Sequence, residues 1–330
     1  MKKFLGIAAA LALALTGCSS ADTSDATNNT PDQVTIGLTY IPNIQFAPIY
    51  MAEANGFFED AGLDVTIRHH GAQEALFGAL EDGTEDVVFA GADEMMQARS
   101  TGVDVVNWAT MYQQYPVVLI APLDSGIDTP ADLAGKRVGL PGPYGENYFG
   151  LQAMLRDYQL EDSVTVEYIG YTQAAALSEQ KVDAIIGFQN NDTIALENAG
   201  IPVKNIPLVA EDLPLIGVGL GSVAEKIDVD VYARLLGAIE KGAQAAGKDI
   251  DATIAVTKEY VPSLAEADQA ELAKKVLTAT LKLYQGGEVF GKQHEDTWVA
   301  MADFLSEIGV LDKPVTAKDA YTTKVLEARN

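Results

Sequence analysis

Cysteine is almost absent from this chain of 330 residues: Cys18 is the only one, and the histidines are His69, His70 and His294 alone. One thiol leaves no internal disulfide and no thiolate metal cluster. His69 and His70 follow Val65 and Ile67 in an alternating strand pattern, which turns the two rings to opposite faces, so a metal pair is not expected there. Positive charge is also scarce. Lys and Arg number 22 against 47 Asp and Glu, giving a net charge of −25. That balance repels phosphate backbones, no basic stripe overrides it, and nucleic-acid binding is excluded. It also disfavours lying flat on anionic lipid, and its simplest consequence is solubility. Beyond the first residues no apolar run approaches the roughly 20 residues of a membrane span. GxSxG, HExxH and GxxxxGK[ST] are all missing, so the common catalytic templates find no footing.

The N-terminus carries what is present instead. Lys2 and Lys3 precede Phe4–Leu15, a mostly apolar run of about twelve residues, as in a secretory signal. It ends in Leu15-Thr16-Gly17-Cys18, which resembles the lipobox of bacterial lipoproteins. The resemblance implies a signal peptide over 1–17, removed before Cys18, with lipid placed on that thiol. The expected address is extracytoplasmic, lipid-anchored to the bacterial cell membrane. Residues 18–32 then hold the lipidated Cys and a tether, SSADTSDATNNTPD, with too little apolar surface to offset its ordering entropy.

From Gln33 the texture changes to short β-branched runs alternating with amphipathic stretches. Strands are expected at 34–38, 65–69, 87–90, 105–111, 117–121, 137–140, 164–168, 184–188 and 217–221. Helices are expected at 48–61, 73–82, 93–101 and 148–158, and after Asp228 at 230–246, 250–260, 266–284 and 294–308. Alternation of this kind predicts an α/β fold of mostly parallel sheets flanked by helices, and the length predicts two domains. Asp128–Gly139 reads as turn, one-turn helix and strand, with Thr129 as N-cap and Pro130 at the first helical position. This phrase also looks like the opening of the second domain in type II solute-binding proteins.

A more specific resemblance rests on Thr39-Tyr40-Ile41-Pro42-Asn43-Ile44-Gln45-Phe46-Ala47-Pro48, Phe89-Ala90-Gly91-Ala92-Asp93, Pro141-Gly142-Pro143-Tyr144-Gly145 and Val182–Phe188. These segments are similar to those of ABC-importer binding proteins related to fungal thiamine-pyrimidine synthase, which include receptors for thiamine pyrimidine precursors and for riboflavin. The resemblance implies a two-lobed periplasmic-binding-protein-like (type II) fold. Lobe 1 is expected over 33–120 and 217–330, with the helical C-terminal part packed on it, and lobe 2 over 121–216. The hinge crossings are expected at Tyr115–Pro122 and Leu213–Gly221.

In open α/β sheets, ligands bind beyond the carboxyl ends of the strands, where these loops lie. Tyr40, Phe46, Tyr112, Tyr144 and Phe188 offer aromatic faces. Asn43, Gln113, Asn147 and Asn190 offer amides, and Glu146 a carboxylate. Gly91 admits close backbone approach, and Asp93 serves as a helix cap or an acceptor for a ligand N–H. The cleft loops carry no Lys or Arg, the nearest being Arg99 two turns into a helix. Aromatics with amides suit a neutral heteroaromatic ring, a thiamine-type pyrimidine or riboflavin; a receptor for sulfonate or nitrate is the alternative and would need concentrated positive donors. In a different class, a pyrimidine-synthase-like enzyme would bring a cysteine-rich iron site and a cleft histidine, neither of which the sequence supplies. The expected partners are the heteroaromatic ligand, an ABC permease with its ATPase, and the membrane through Cys18. The chain is expected to be a monomer without cofactor, metal or catalytic residues.

Overall fold

A computed structural model describes residues 30–71 and 74–329. The signal over 1–17, Cys18 and most of the tether lie outside the described residues. Ten strands follow in order: β1 (Asp32–Leu38), β2 (Leu63–His69), β3 (Val87–Gly91), β4 (Val105–Thr110), β5 (Val117–Pro122), β6 (Arg137–Leu140), β7 (Thr165–Tyr168), β8 (Ala184–Phe188), β9 (Val203–Ile206) and β10 (Val218–Val223). They form two five-stranded sheets, ordered β2-β1-β3-β10-β4 and β7-β6-β8-β5-β9.

Each sheet has four strands running one way and one running against them. β10 is antiparallel to both β3 and β4, and β5 is antiparallel to both β8 and β9. The other pairs, β1 with β2 and β3 and β6 with β7 and β8, are parallel. The reversed strand is in each case the one arriving from the other sheet. A chain that leaves at the carboxyl ends of one parallel set enters the other set from its carboxyl ends, so it must run backwards through it.

The crossings differ from the expected ones. Val117 already pairs with Phe188, so β5 belongs to the second sheet from its first residue and the first crossing is Met111–Pro116. The lobe boundary expected after residue 120 therefore cuts a strand. The return ends at Gly217, because Val218 pairs with Gly91. Much of each run that reads as a hinge segment is instead strand, Val117–Pro122 and Val218–Val223, with Leu119, Ile120 and Leu220 at 0% exposure. Four edge residues, Val203–Ile206, form a strand that the sequence hides, since Lys204 and Asn205 interrupt any apolar run. One expected helix is two: Ala47–Ala54 and Phe57–Asp60 are separated by Gly56, whose φ of +70° ends the first and starts the second.

The core of the first sheet joins Ile36, Leu38 and Phe89 to Tyr232, Leu235, Leu236 and Ile239, the apolar face of helix Val229–Lys248. Gly242 lets this helix approach helix Ala47–Ala54, as a Cβ there would stand 2.1 Å from the Pro48 carbonyl oxygen. The C-terminal part does not pack on the first sheet alone. Trp298, Met301 and Leu305 cluster with Phe149 and Ala153 on a second-sheet helix, Gly145–Asp157. Among the described residues no helix is long and apolar enough to cross a membrane.

Candidate functional site

Loops at the carboxyl ends of both sheets enclose a cavity of about 260 Å³. The first sheet contributes Thr39, Tyr40, Asn43, Gln45 and Phe46 after β1, Phe89–Gly91 and Glu94 around the end of β3, and Tyr112 after β4. The second contributes Tyr144–Asn147 after β6, Tyr171 and Gln173 after β7, and Phe188, Asn191 and Asp192 at the end of β8. Asn43 Oδ1 accepts from the Gln45 N–H at 3.0 Å and starts a 3-10 turn, Ile44–Phe46, that buries Phe46. Phe46 and Phe89 meet edge to face at 5.6 Å. Tyr40 has φ +68°, a left-handed conformation unusual for a bulky residue. Its ring is half exposed while its hydroxyl donates to Glu94 Oε1 at 2.7 Å.

No Lys, Arg or His among the described residues lines this cavity, yet Glu94, Glu146 and Asp192 do. Glu94 Oε2 accepts from the Gly91 N–H at 3.1 Å, and Asp93 Oδ1 accepts from the Glu94 N–H at 2.7 Å. The helix Ala92–Thr101 thus fills its own N-terminus, a position that could otherwise hold an anion, with its own carboxyls. Tyr115 donates its hydroxyl to Asp93 Oδ2 at 2.7 Å and lies 2.9 Å from the Glu146 carbonyl oxygen. Burial, and secondarily the neighbouring Glu94, pushes the Asp93 carboxyl well above the usual range. Glu146 is pushed up by burial, then by Asp93 and Glu94, and Glu94 by burial against the opposing bonds from Tyr40 and Gly91. Burial also raises Asp192 to about 6, although it accepts from the Phe188 N–H at 2.7 Å. Glu146 Oε1 and Asn147 Oδ1 are buried with no hydrogen-bond partner among the described residues.

Of the residues expected from sequence, Tyr40, Asn43, Phe46, Gly91, Tyr112, Tyr144, Glu146, Asn147 and Phe188 line the cavity. Three do not. Asp93 is fully buried behind it, held by Tyr115. Gln113 turns away, its amide donating to the Thr110 and Lys292 carbonyls and so tying down the C-terminal segment. Asn190 donates to Gln45 Oε1 and Thr280 Oγ1 behind the wall. Gly91 has a different reason from the one expected. A Cβ there would meet Asp93 Oδ1 at 2.6 Å, Glu94 Oε2 at 2.9 Å and Glu146 Cγ at 3.2 Å, so the missing side chain makes room for carboxyls. Sequence reading passed over Glu94, Tyr171 and Asp192. Glu94 had a signal, as the third residue of a helix opening at Gly91, where a capping glutamate belongs.

A second hollow of about 560 Å³ shares Tyr40, Glu94, Tyr144, Gly145 and Tyr171 with the first. His70 and Glu74, which line it, and the buried Glu85 bring ligand-type atoms within 4.8 Å of one another. Arg68 already bridges Glu74 and Glu85 at 2.6 Å each, while His70 Nε2 meets Glu85 at 2.8 Å, so a guanidinium takes the place of a metal cation. His69, on the other face, pairs with the Tyr50 hydroxyl at 2.7 Å.

A family model described as "NMT1/THI5 like" matches residues 43–253. The riboflavin-binding protein RibY of Chloroflexus aurantiacus is 30% identical, over 89% of this chain and 86% of that protein. A formylaminopyrimidine-binding protein of Halalkalibacterium halodurans is 25% identical, over 98% of this chain and 99% of that one. Among solved structures, the periplasmic aliphatic sulphonate-binding protein SsuA of Escherichia coli superposes with a TM-score of 0.69 at 17% identity, covering 88% of this chain and 91% of that one. The two mixed sheets and their flanking helices are thus the periplasmic-binding-protein-like fold.

Proposed function

The chain belongs to the NMT1/THI5-like family, and from that footing we propose that it is the solute-binding lipoprotein of an ABC importer. It captures a small neutral heteroaromatic vitamin or precursor, riboflavin or a thiamine-type pyrimidine, and presents it to the permease. The observation that carries this reading is the cavity wall: Tyr40, Phe46, Phe89, Tyr112, Tyr144 and Phe188 surround polar groups that include no cation among the described residues. Aromatic faces take a flat ring, and Glu146 and Asn147 offer oxygens to its N–H groups. The binding names of RibY and of the formylaminopyrimidine-binding protein support the same ligand class.

Capture proceeds by closure of one sheet on the other about Met111–Pro116 and the return ending at Gly217, and the permease reads the closed form. Lipid on Cys18 keeps the receptor at the membrane. A sulfonate or nitrate ligand fits poorly, because the helix N-terminus at Gly91 is filled by Glu94 and Asp93. Synthase chemistry finds no cysteine-rich run, since Cys18 is the sole thiol.

The test is thermal unfolding of the purified chain against riboflavin, aminopyrimidines, taurine, nitrate and amino acids. A ligand at about a hundred times its dissociation constant adds roughly 2.7 kcal/mol. A shift with riboflavin or an aminopyrimidine is expected; a shift with taurine or nitrate and none with any heterocycle would overturn the ligand class.

A further inference from the structure

Glu146 stands on the second-sheet helix Gly145–Asp157, whereas Asp93 and Glu94 stand on the first-sheet helix Ala92–Thr101. All three surround the space left by Gly91. Glu146 Oε1 lies among the crossings: a Cβ built on Gly217 would meet it at 3.2 Å and Pro116 Cδ at the same distance. This oxygen is buried and finds no partner among the described residues. The titratable groups that face Glu146 are Asp93 and Glu94 from the first-sheet helix, Tyr40 from the loop after β1, and Tyr112 and Tyr115 from the crossing. None is a cation, and Tyr115 spends its proton on Asp93.

We infer that Glu146 is a specificity-determining acid that couples closure to proton uptake: closing the cleft carries it against Asp93 and Glu94, so a proton must enter with the ligand or from solvent, and ligands presenting an N–H edge are retained over anions.

The physical reason is that like charges brought from opposite lobes into a dry site cannot all remain ionised, while in the open form water and distance relieve them. Burial and the two neighbouring acids, which push the Glu146 carboxyl up, act in the same direction. An uncharged Glu146 offers one donor and one acceptor, complementary to the alternating acceptors and N–H groups of an imide or amidine edge. The ligand half of the inference rests on the ligand class proposed above; the proton-linked half rests only on the closure proposed there and needs no particular ligand.

Small-angle scattering of the ligand-free chain between pH 5 and 8 reads the closure directly. The radius of gyration is expected to rise with pH, and Glu146→Gln, which keeps the shape but cannot ionise, is expected to flatten the rise. A pH-independent radius in the unsubstituted chain would overturn proton-linked closure whatever the ligand. Riboflavin titrations, repeated in buffers of different ionisation enthalpy, read the ligand half. The expected result is net proton uptake, with Kd rising severalfold, and at most about tenfold per pH unit, from pH 6 to 8. Asp93→Asn provides a second lesion with the same expected flattening, and circular dichroism checks that both variants fold. Equal affinity for riboflavin and its N3-methyl derivative would sink the N–H-edge selection. Failure to bind any heterocycle would sink it together with the ligand class, leaving the scattering result to stand or fall alone.

Discussion

Asn190, two residues beyond β8, donates its side-chain amide to Gln45 Oε1, on the loop after β1, at 2.9 Å behind the cavity wall. The same nitrogen lies 2.8 Å from Thr280 Oγ1 on the C-terminal helix Ala267–Leu283, so one buried amide clasps both sheets and that helix. Asn190→Ala should weaken the closed form by about 1–2 kcal/mol, a factor of roughly 5–30 in its population. Stopped-flow release of bound riboflavin should quicken accordingly; an unaltered release rate would show that the clasp does not hold closure.

Tyr40 joins a left-handed backbone, a half-exposed ring and a bond to buried Glu94. Tyr40→Ala keeps the unfavourable φ and removes the ring, so affinity should fall by about 0.5–1.5 kcal/mol beyond the lost area. Tyr40→Gly should lose as much affinity yet unfold at a higher temperature than the Ala variant, by about 1 kcal/mol. Unchanged titration curves in both would remove Tyr40 from the site.

Asp192 sets a pH dependence whose sign is definite. Its carboxyl titrates near 6 in the folded chain against an ordinary 3.8, so between those values the folded state holds the extra proton. Stability from this group is therefore present at low pH and declines as pH rises through that window, levelling off above it. Asp192→Asn should remove a decline of about 1–3 kcal/mol, read as a smaller melting-temperature difference between pH 4.5 and 7.5.

Gln293 locks the C-terminal part to β4. Its Oε1 accepts from Thr110 Oγ1 at 2.7 Å and Trp298 Nε1 at 2.8 Å, and its Nε2 donates to Asn107 Oδ1 at 2.7 Å. Gln293→Ala strands three buried groups and should cost about 2–4 kcal/mol in urea unfolding. A loss within about 0.5 kcal/mol, the range of surface substitutions, would contradict a closed network.

Much of the sheet framework was legible because strand identity is written locally. Apolar, β-branched runs such as Ala184–Phe188 and Val117–Pro122 announce themselves, and the loops after them form one wall wherever the strands run parallel. The cavity wall was legible to the same extent: Phe188 ends β8, Tyr40, Phe46 and Tyr144 stand in the segments that follow β1 and β6, and all four reach it. Gln113 and Asn190 occupy equally suitable places in the sequence and were claimed by distant partners, Lys292 and Thr280.

The sequence by itself determined the alternation of strands and helices, the acid surplus, the single thiol at Cys18 and the lack of cations in the cleft loops, because each is a property of composition or of neighbours along the chain. Only the tertiary structure decided that Val117 starts a strand of the second sheet, that Gly91 makes room for acids, and that Glu146 on helix Gly145–Asp157 lies beside the space Gly91 leaves to Asp93 and Glu94 on helix Ala92–Thr101. Most of those relations join residues dozens of positions apart, fixed by how the two sheets and their helices pack, and a buried carboxyl acquires its character from the groups that packing sets beside it.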